Sequence, residues 1–138
     1  MRIYIVIPAY NEAKFIGQTL ESLANQTLPP EKLIVVDDGS TDNTAQIVRN
    51  FSERFSFISL IEKTSKDNTH TPGSKVIKAF NLGYNNLDEE YDIICKLDGD
   101  LIFPSNYLEK IVSHFESNPR AGMVGGFCTI MKNGKWAL

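Results

Sequence analysis

Asp98-Gly99-Asp100 sets two carboxylates two residues apart, a spacing at which an extended chain sends both side chains out on one face. Gly99 between them permits a bend and lets a bulky ligand approach the backbone. Paired hard oxygens suit magnesium or manganese, which take one or two carboxylates and complete their shell with substrate phosphates and water. The same triplet also makes an ordinary acidic turn. Asp37-Asp38-Gly39-Ser40 reads two ways as well: as turn and helix-cap residues, or as a carboxylate accepting hydrogen bonds from a nucleobase N–H or a ribose hydroxyl. In Pro8-Ala9-Tyr10-Asn11-Glu12, the ring of Tyr10 can pack on a flat base or simply cover a rim. Glu12 can join such a site or serve as a first-turn acid favoured by a helix dipole.

These clusters acquire meaning from the elements in front of them. Ile3 to Ile7 is an unbroken apolar run, the mark of a strand buried on both faces. Glu12 to Gln26 carries Ile16, Leu20 and Leu23 at helical spacing, and Pro29-Pro30 closes it. Leu33 to Val36 is a second buried strand. Ser40, Thr41 and Asp42 are all good N-caps, so a helix bearing Ile47, Val48, Phe51 and Phe55 is expected to start there. Phe57 to Ile61 reads as a third strand, and Lys63 to Gly73 as a polar, mobile loop containing His70. A shorter helix over Ser74 to Leu82, a fourth strand over Asp92 to Leu97, and a helix with Leu108, Ile111, Val112 and Phe115 on one stripe follow. Met123 to Ile130 is expected to be a fifth strand.

The alternation βαβαβαβαβ favours an α/β three-layer sandwich, a mostly parallel sheet with helices on both faces. Ligands of open parallel sheets bind beyond the carboxyl ends of the strands. The first, second and fourth strands end in the three clusters above, so one rim should collect them all. Asp37, Asp38, Asp98 and Asp100 gathered there would repel one another unless a cation or hydrogen-bond donors lay among them.

Ile-Pro-Ala-Tyr-Asn-Glu at 7–12, Val-Val-Asp-Asp-Gly-Ser-Thr-Asp at 35–42 and Leu-Asp-Gly-Asp at 97–100 together resemble the inverting family 2 glycosyltransferases of the GT-A fold, a Rossmann-like nucleotide-diphospho-sugar transferase architecture. Asn81-Leu82-Gly83 is similar to that family's Asn-x-Gly segment, and the resemblance spans nearly the whole chain. It implies that Pro8, Ala9, Tyr10 and Glu12, with Asp37 or Asp38, hold the base and ribose of a nucleoside-diphosphate sugar, a UDP-sugar foremost. Asp98 would contact ribose or metal, and Asp100 would ligate Mg2+ or Mn2+ bridging the diphosphate. The ion would neutralise charge on the departing nucleotide. Phe80 departs from the pattern, because many relatives carry an arginine there; Lys75 or Lys78 is the alternative source of that charge, or a solvated lysine.

An inverting transfer also needs a carboxylate to deprotonate the acceptor hydroxyl, which the resemblance implies is part of a glycan or a lipid-linked molecule. After Glu116 there is no Asp or Glu, and Glu109 and Glu116 belong to an amphipathic helix. The chain therefore reads as one truncated transferase domain, 1–138, that binds donor, with its base expected after Leu138. Two other readings compete. Asp98-Gly99-Asp100 after an apolar strand also resembles the nucleophile motif of haloacid-dehalogenase-type phosphatases, although Ile102 stands where those need Thr or Val. A non-catalytic nucleotide-binding module is the third.

Composition excludes other classes. Seventeen acidic against fourteen basic residues give a net charge of -3, with no basic surface for nucleic acid. No GxGxxG follows the first strand, which argues against a dinucleotide-binding domain. No stretch approaches the roughly eighteen apolar residues of a membrane span, and the first strand is too short for a signal-peptide core. The chain reads as cytoplasmic, with membrane association of a longer protein left open. Cys95 and Cys128 are expected to be two buried thiols, with a disulfide between them as the alternative.

Overall fold

The computed structural model describes residues 1–64 and 73–138. The elements run β1 (Ile3–Ala9), α1 (Ile16–Ala24), β2 (Lys32–Asp37), α2 (Thr44–Arg54), β3 (Ile58–Glu62), α3 (Ser74–Asn85), β4 (Ile93–Lys96), α4 (Tyr107–Ser117), β5 (Ile130–Lys132) and β6 (Lys135–Ala137). Four parallel strands pair in the order β3-β2-β1-β4, with Ile5 opposite Leu33 on one side and Cys95 on the other. The expected loop over 63–73, His70 included, lies mostly outside the described residues.

The chain steps outward from β1 to β2 to β3, then crosses to the opposite side of β1 to lay down β4. Right-handed crossovers then put the helices of the first two steps on one face and the helix of the return step on the other. Packing follows that rule. Ile3, Ile5 and Ile7 meet Ile16, Leu20 and Leu23 of α1, Val48 and Phe51 of α2, and Leu108 and Val112 of α4. On the other face Val6, Ile34 and Val36 meet Ala79 of α3. β1 is covered on both sides, which is why its sequence is continuously apolar rather than alternating. α3 approaches the sheet closely because Gly83 faces it; a Cβ there would stand 2.6 Å from Val6 Cγ1 and 2.8 Å from Val36 Cγ2.

Three expectations need correction. No strand covers 123–129. Gly125-Gly126 weakens that run, and Met123 and Phe127 are 90% and 91% exposed. Instead β5 and β6 form a separate antiparallel hairpin around Asn133 and Gly134, both at positive φ, which is the Asn-Gly two-residue turn. The helices also start later than their sequence signals. Asn11 is left-handed at φ 50, and the backbone N–H groups of Glu12 and Ala13 donate to Thr44 Oγ1 and Asp42 Oδ2, so α1 begins only at Ile16. α2 begins at Thr44 rather than near Ser40, because residues 40–42 are spent holding the β1 loop. Finally, both cysteines are free and only Cys95 is shielded; burial pushes its thiol up to about 11, whereas Cys128 is exposed. Among the described residues no helix is long and apolar enough to cross a membrane.

Candidate functional site

The loops after β1 and β2 are stitched together by polar contacts. Asn11 N donates to Ser40 Oγ at 2.9 Å, Thr41 N to Asn11 Oδ1 at 2.8 Å, and Asp38 N to Ala9 O at 2.9 Å. Asp42 Oδ1 accepts the backbone N–H of Thr44, the first residue of α2, at 3.0 Å, while its other oxygen serves Ala13. The Asn, Ser, Thr and second-loop Asp of these motifs are thus consumed in fixing two loops against each other. Their neighbours are left to face a cleft.

The loop after β4 is anchored from below. Buried Thr19 of α1 donates its hydroxyl to Gly99 O at 2.9 Å. A Cβ on Gly99 would stand 3.1 Å from Ile16 Cδ1, so this glycine packs tightly on α1, and it is not among the glycines at positive φ. That contact sets the height of Asp98 and Asp100 relative to β1. Lys96 Nζ lies 3.1 Å from Asp98 Oδ1, an exposed ion pair of small energetic weight.

Between these loops, at the place where the sheet order reverses around β1, lies a cleft of about 410 Å³. Pro8, Ala9, Tyr10 and Glu12 line it from β1, Asp38 from β2, Lys75 from α3, and Asp98 and Asp100 from β4. The donor- and metal-site candidates from sequence therefore share one cleft, except Asp37 and Lys78. Asp37 is 4% exposed and lies below the rim; its Oδ2 accepts from Ser40 N at 3.3 Å, and Oδ1 has no hydrogen-bond partner among the described residues. Lys78 is not part of the lining, and Phe80 packs into the core beneath α3 against Tyr84.

Sequence reasoning missed Val76 and Ala79, which form an apolar wall on α3, and Lys63. Lys63 directly follows β3 and pairs with Asp38, Nζ to Oδ1 at 3.3 Å. The strand-end rule applied to β3 would have found it. Val76 had no such signal, because which helical face meets a cleft depends on the height of the helix over the sheet.

The electrostatics are those of a site short of positive charge. Burial, then Asp100, Asp42 and Asp98, push the Glu12 carboxyl above its ordinary value. Among the described residues no three or more His, Cys, Asp or Glu side chains converge to enclose a metal ion by themselves. One or two carboxylates at an open rim suit a hard cation that draws its remaining oxygens from phosphate and water, so Asp98 and Asp100 fit Mg2+ or Mn2+.

The family model described as glycosyl transferase family 2 matches residues 4–136. A poly-beta-1,6-N-acetyl-D-glucosamine synthase of Staphylococcus epidermidis is 30% identical over 126 residues, 90% of this chain and 28% of its own length. Among solved structures, TarS of S. aureus in complex with UDP-GlcNAc is similar with a TM-score of 0.69 at 26% identity, over 86% of this chain and 32% of that one. A mannosyltransferase of Pyrobaculum calidifontis, in complex with GDP-Man and Mn2+, gives 0.70 at 25% identity, over 88% and 34%. The chain spans about a third of the length of these relatives.

Proposed function

Starting from the fact that this chain belongs to glycosyl transferase family 2 and has the GT-A fold, we propose that residues 1–138 are the part of a glycosyltransferase that binds the nucleoside-diphosphate sugar. The donor is a UDP-sugar, and the whole protein transfers its sugar to a hydroxyl of a glycan or lipid-linked acceptor. One observation carries this reading: the loops ending β1, β2 and β4 line a single cleft at the reversal point of the sheet. The volume, about 410 Å³, suits a ligand of nucleotide size.

Tyr10, more than half exposed on the rim, stacks on the base, with Pro8 and Ala9 as the floor. Of the two adjacent acids, Asp38 is the one that accepts hydrogen bonds from the base, because Asp37 is buried out of the lining. Asp98 meets the ribose or the metal, and Asp100 is the metal ligand. Lys75 faces the diphosphate from α3, in place of the arginine that Phe80 replaces. Glu12 is held beside Asp98 and Asp100, where its carboxyl orders water or a metal-bound ligand's hydroxyl. A bound Mg2+ or Mn2+ would offset the charge that grows on the diphosphate as the sugar leaves. The carboxylate that deprotonates the acceptor is supplied by residues other than these. The relatives support the donor class, one being in complex with UDP-GlcNAc and another with GDP-Man and Mn2+.

Titration calorimetry of the chain with UDP, with manganese and then with a chelator added, tests the proposal. Saturable binding that weakens on chelation is expected. No binding of any nucleoside diphosphate, or hydrolysis of simple phosphomonoesters indifferent to nucleotide-sugar, would overturn it.

A further inference from the structure

We infer that Lys63, a residue outside the cleft lining, is a positioning residue that fixes the base-facing carboxylate of Asp38 and thereby sets the choice of nucleobase. The inference rests on the donor-binding reading of the cleft given above.

Lys63 Nζ stands 3.3 Å from Asp38 Oδ1, and the two side chains are only 12% and 16% exposed. This distinguishes the pair from the other ion pairs among the described residues, whose side chains are 41% exposed or more. The backbone holds both partners rigidly. Lys63 N donates to Asp37 O at 2.8 Å, continuing the β2–β3 ladder one step past its last paired residues, and Asp38 N donates to Ala9 O at 2.9 Å. Asp38 is therefore tied to β1 through its backbone and to β3 through its side chain. Removing one member of such a shielded pair leaves a charge without compensation, so the pair has a consequence that an exposed one lacks.

The ammonium lies against the Asp38 carboxylate on a rim that already carries Glu12, Asp98 and Asp100. It engages Oδ1, leaving Oδ2 as the oxygen offered to a ligand. An ionised carboxylate can only accept. It suits a base with a ring N–H, uracil at N3 or guanine at N1, and it repels the lone pair at cytosine N3 or adenine N1. Without Lys63 the carboxylate can rotate, so neither oxygen is held toward the base and the discrimination between a ring N–H and a ring lone pair weakens.

The experiment measures Kd for UDP, GDP, CDP and ADP in the presence of manganese. It uses the unaltered chain, Lys63→Gln, Lys63→Arg and Asp38→Asn, and Lys63→Gln combined with Asp38→Asn. Ratios of Kd within one preparation do not depend on the fraction folded, so partial unfolding of a variant cannot mimic the effect. The unaltered chain should prefer UDP or GDP to CDP and ADP. Lys63→Gln should narrow that preference, on the order of tenfold, while Lys63→Arg should keep it. On the Asp38→Asn background, Lys63→Gln should change nothing further. An equal loss for all four nucleotides on both backgrounds would mean that Lys63 acts on the phosphates, overturning the inference. So would unchanged ratios in Lys63→Gln. Failure of the unaltered chain to bind any of the four would instead overturn the donor reading, and this inference with it.

Discussion

At the scale of single residues, the three loop motifs divide into side chains that face the cleft and side chains that hold the loops. Asn11, Ser40, Thr41, Asp42 and Thr44 belong to the second group through their mutual hydrogen bonds. Asp38, Asp98 and Asp100 belong to the first. The division separates two adjacent aspartates: Asp37 is buried with one oxygen unpaired among the described residues, and Asp38 is on the rim with a lysine. Asp100 takes part in none of the loop-fixing contacts described above, so its removal should cost binding rather than structure. Asp100→Ala is expected to abolish manganese-dependent binding of UDP while leaving the melting temperature nearly unchanged. A variant that still bound with undiminished dependence on manganese would remove Asp100 from the metal site.

At the scale of elements, the position of α3 decides the shape of the cleft, since Lys75, Val76 and Ala79 form its wall. α3 lies low over the sheet because Ala79 and Gly83, one helical turn apart, present almost no side chain to Val6 and Val36. Added volume cannot be absorbed by a flexible end here, because both valines belong to buried central strands. Gly83→Ala should therefore lower stability by about 1–3 kcal/mol in chemical denaturation, despite the better helix propensity of alanine. It should also weaken nucleotide binding by lifting Lys75 and Val76. If the substitution stabilised the protein, the close approach of α3 would not be a packing requirement. The sequence marks a helix over Ser74 to Leu82, but it does not state how near the sheet the helix must lie.

At the scale of the whole molecule, the two ends of the sheet do different work. The carboxyl ends of the strands carry the cleft, and the amino ends carry a polar clamp. Asp88, ahead of β4, accepts from Tyr4 Oη at 2.7 Å, pairs with Lys32 Nζ, and accepts from Glu90 N at 2.9 Å. Tyr4 and Lys32 are register partners on β1 and β2, so the clamp joins three chain segments. Lys32, then Tyr4, hold the Asp88 carboxyl well below its ordinary value of 3.8. A lowered carboxylate contributes stability that is full above the ordinary value and is lost as pH falls through the lowered one. Asp88→Asn should accordingly melt lower than the unaltered chain at pH 7, and the gap should shrink as pH drops below about 4. Nucleotide binding at the far end should be unaffected. A gap that stayed constant from neutral to acid pH would show that the clamp does not act through the Asp88 charge.

The order of the first four strands and of the helices, the parallel sheet and the three loops that line the cleft were legible in the sequence. They rest on local facts: apolar runs of strand length, stripes at helical spacing, and acidic or turn residues placed directly after a strand. What the sequence could not state was any relation between segments far apart along the chain. Only tertiary structure set Asp37 below the rim and Asp38 on it, brought Lys63 against Asp38, and lowered α3 onto Val6 and Val36. It also took the residues around 123–130 out of the main sheet, because Gly125-Gly126 and the Asn133-Gly134 turn favour a separate hairpin over a fifth parallel strand. A side chain's type is written in the sequence. What it touches is fixed by how layers pack, and packing is a property of the whole chain at once.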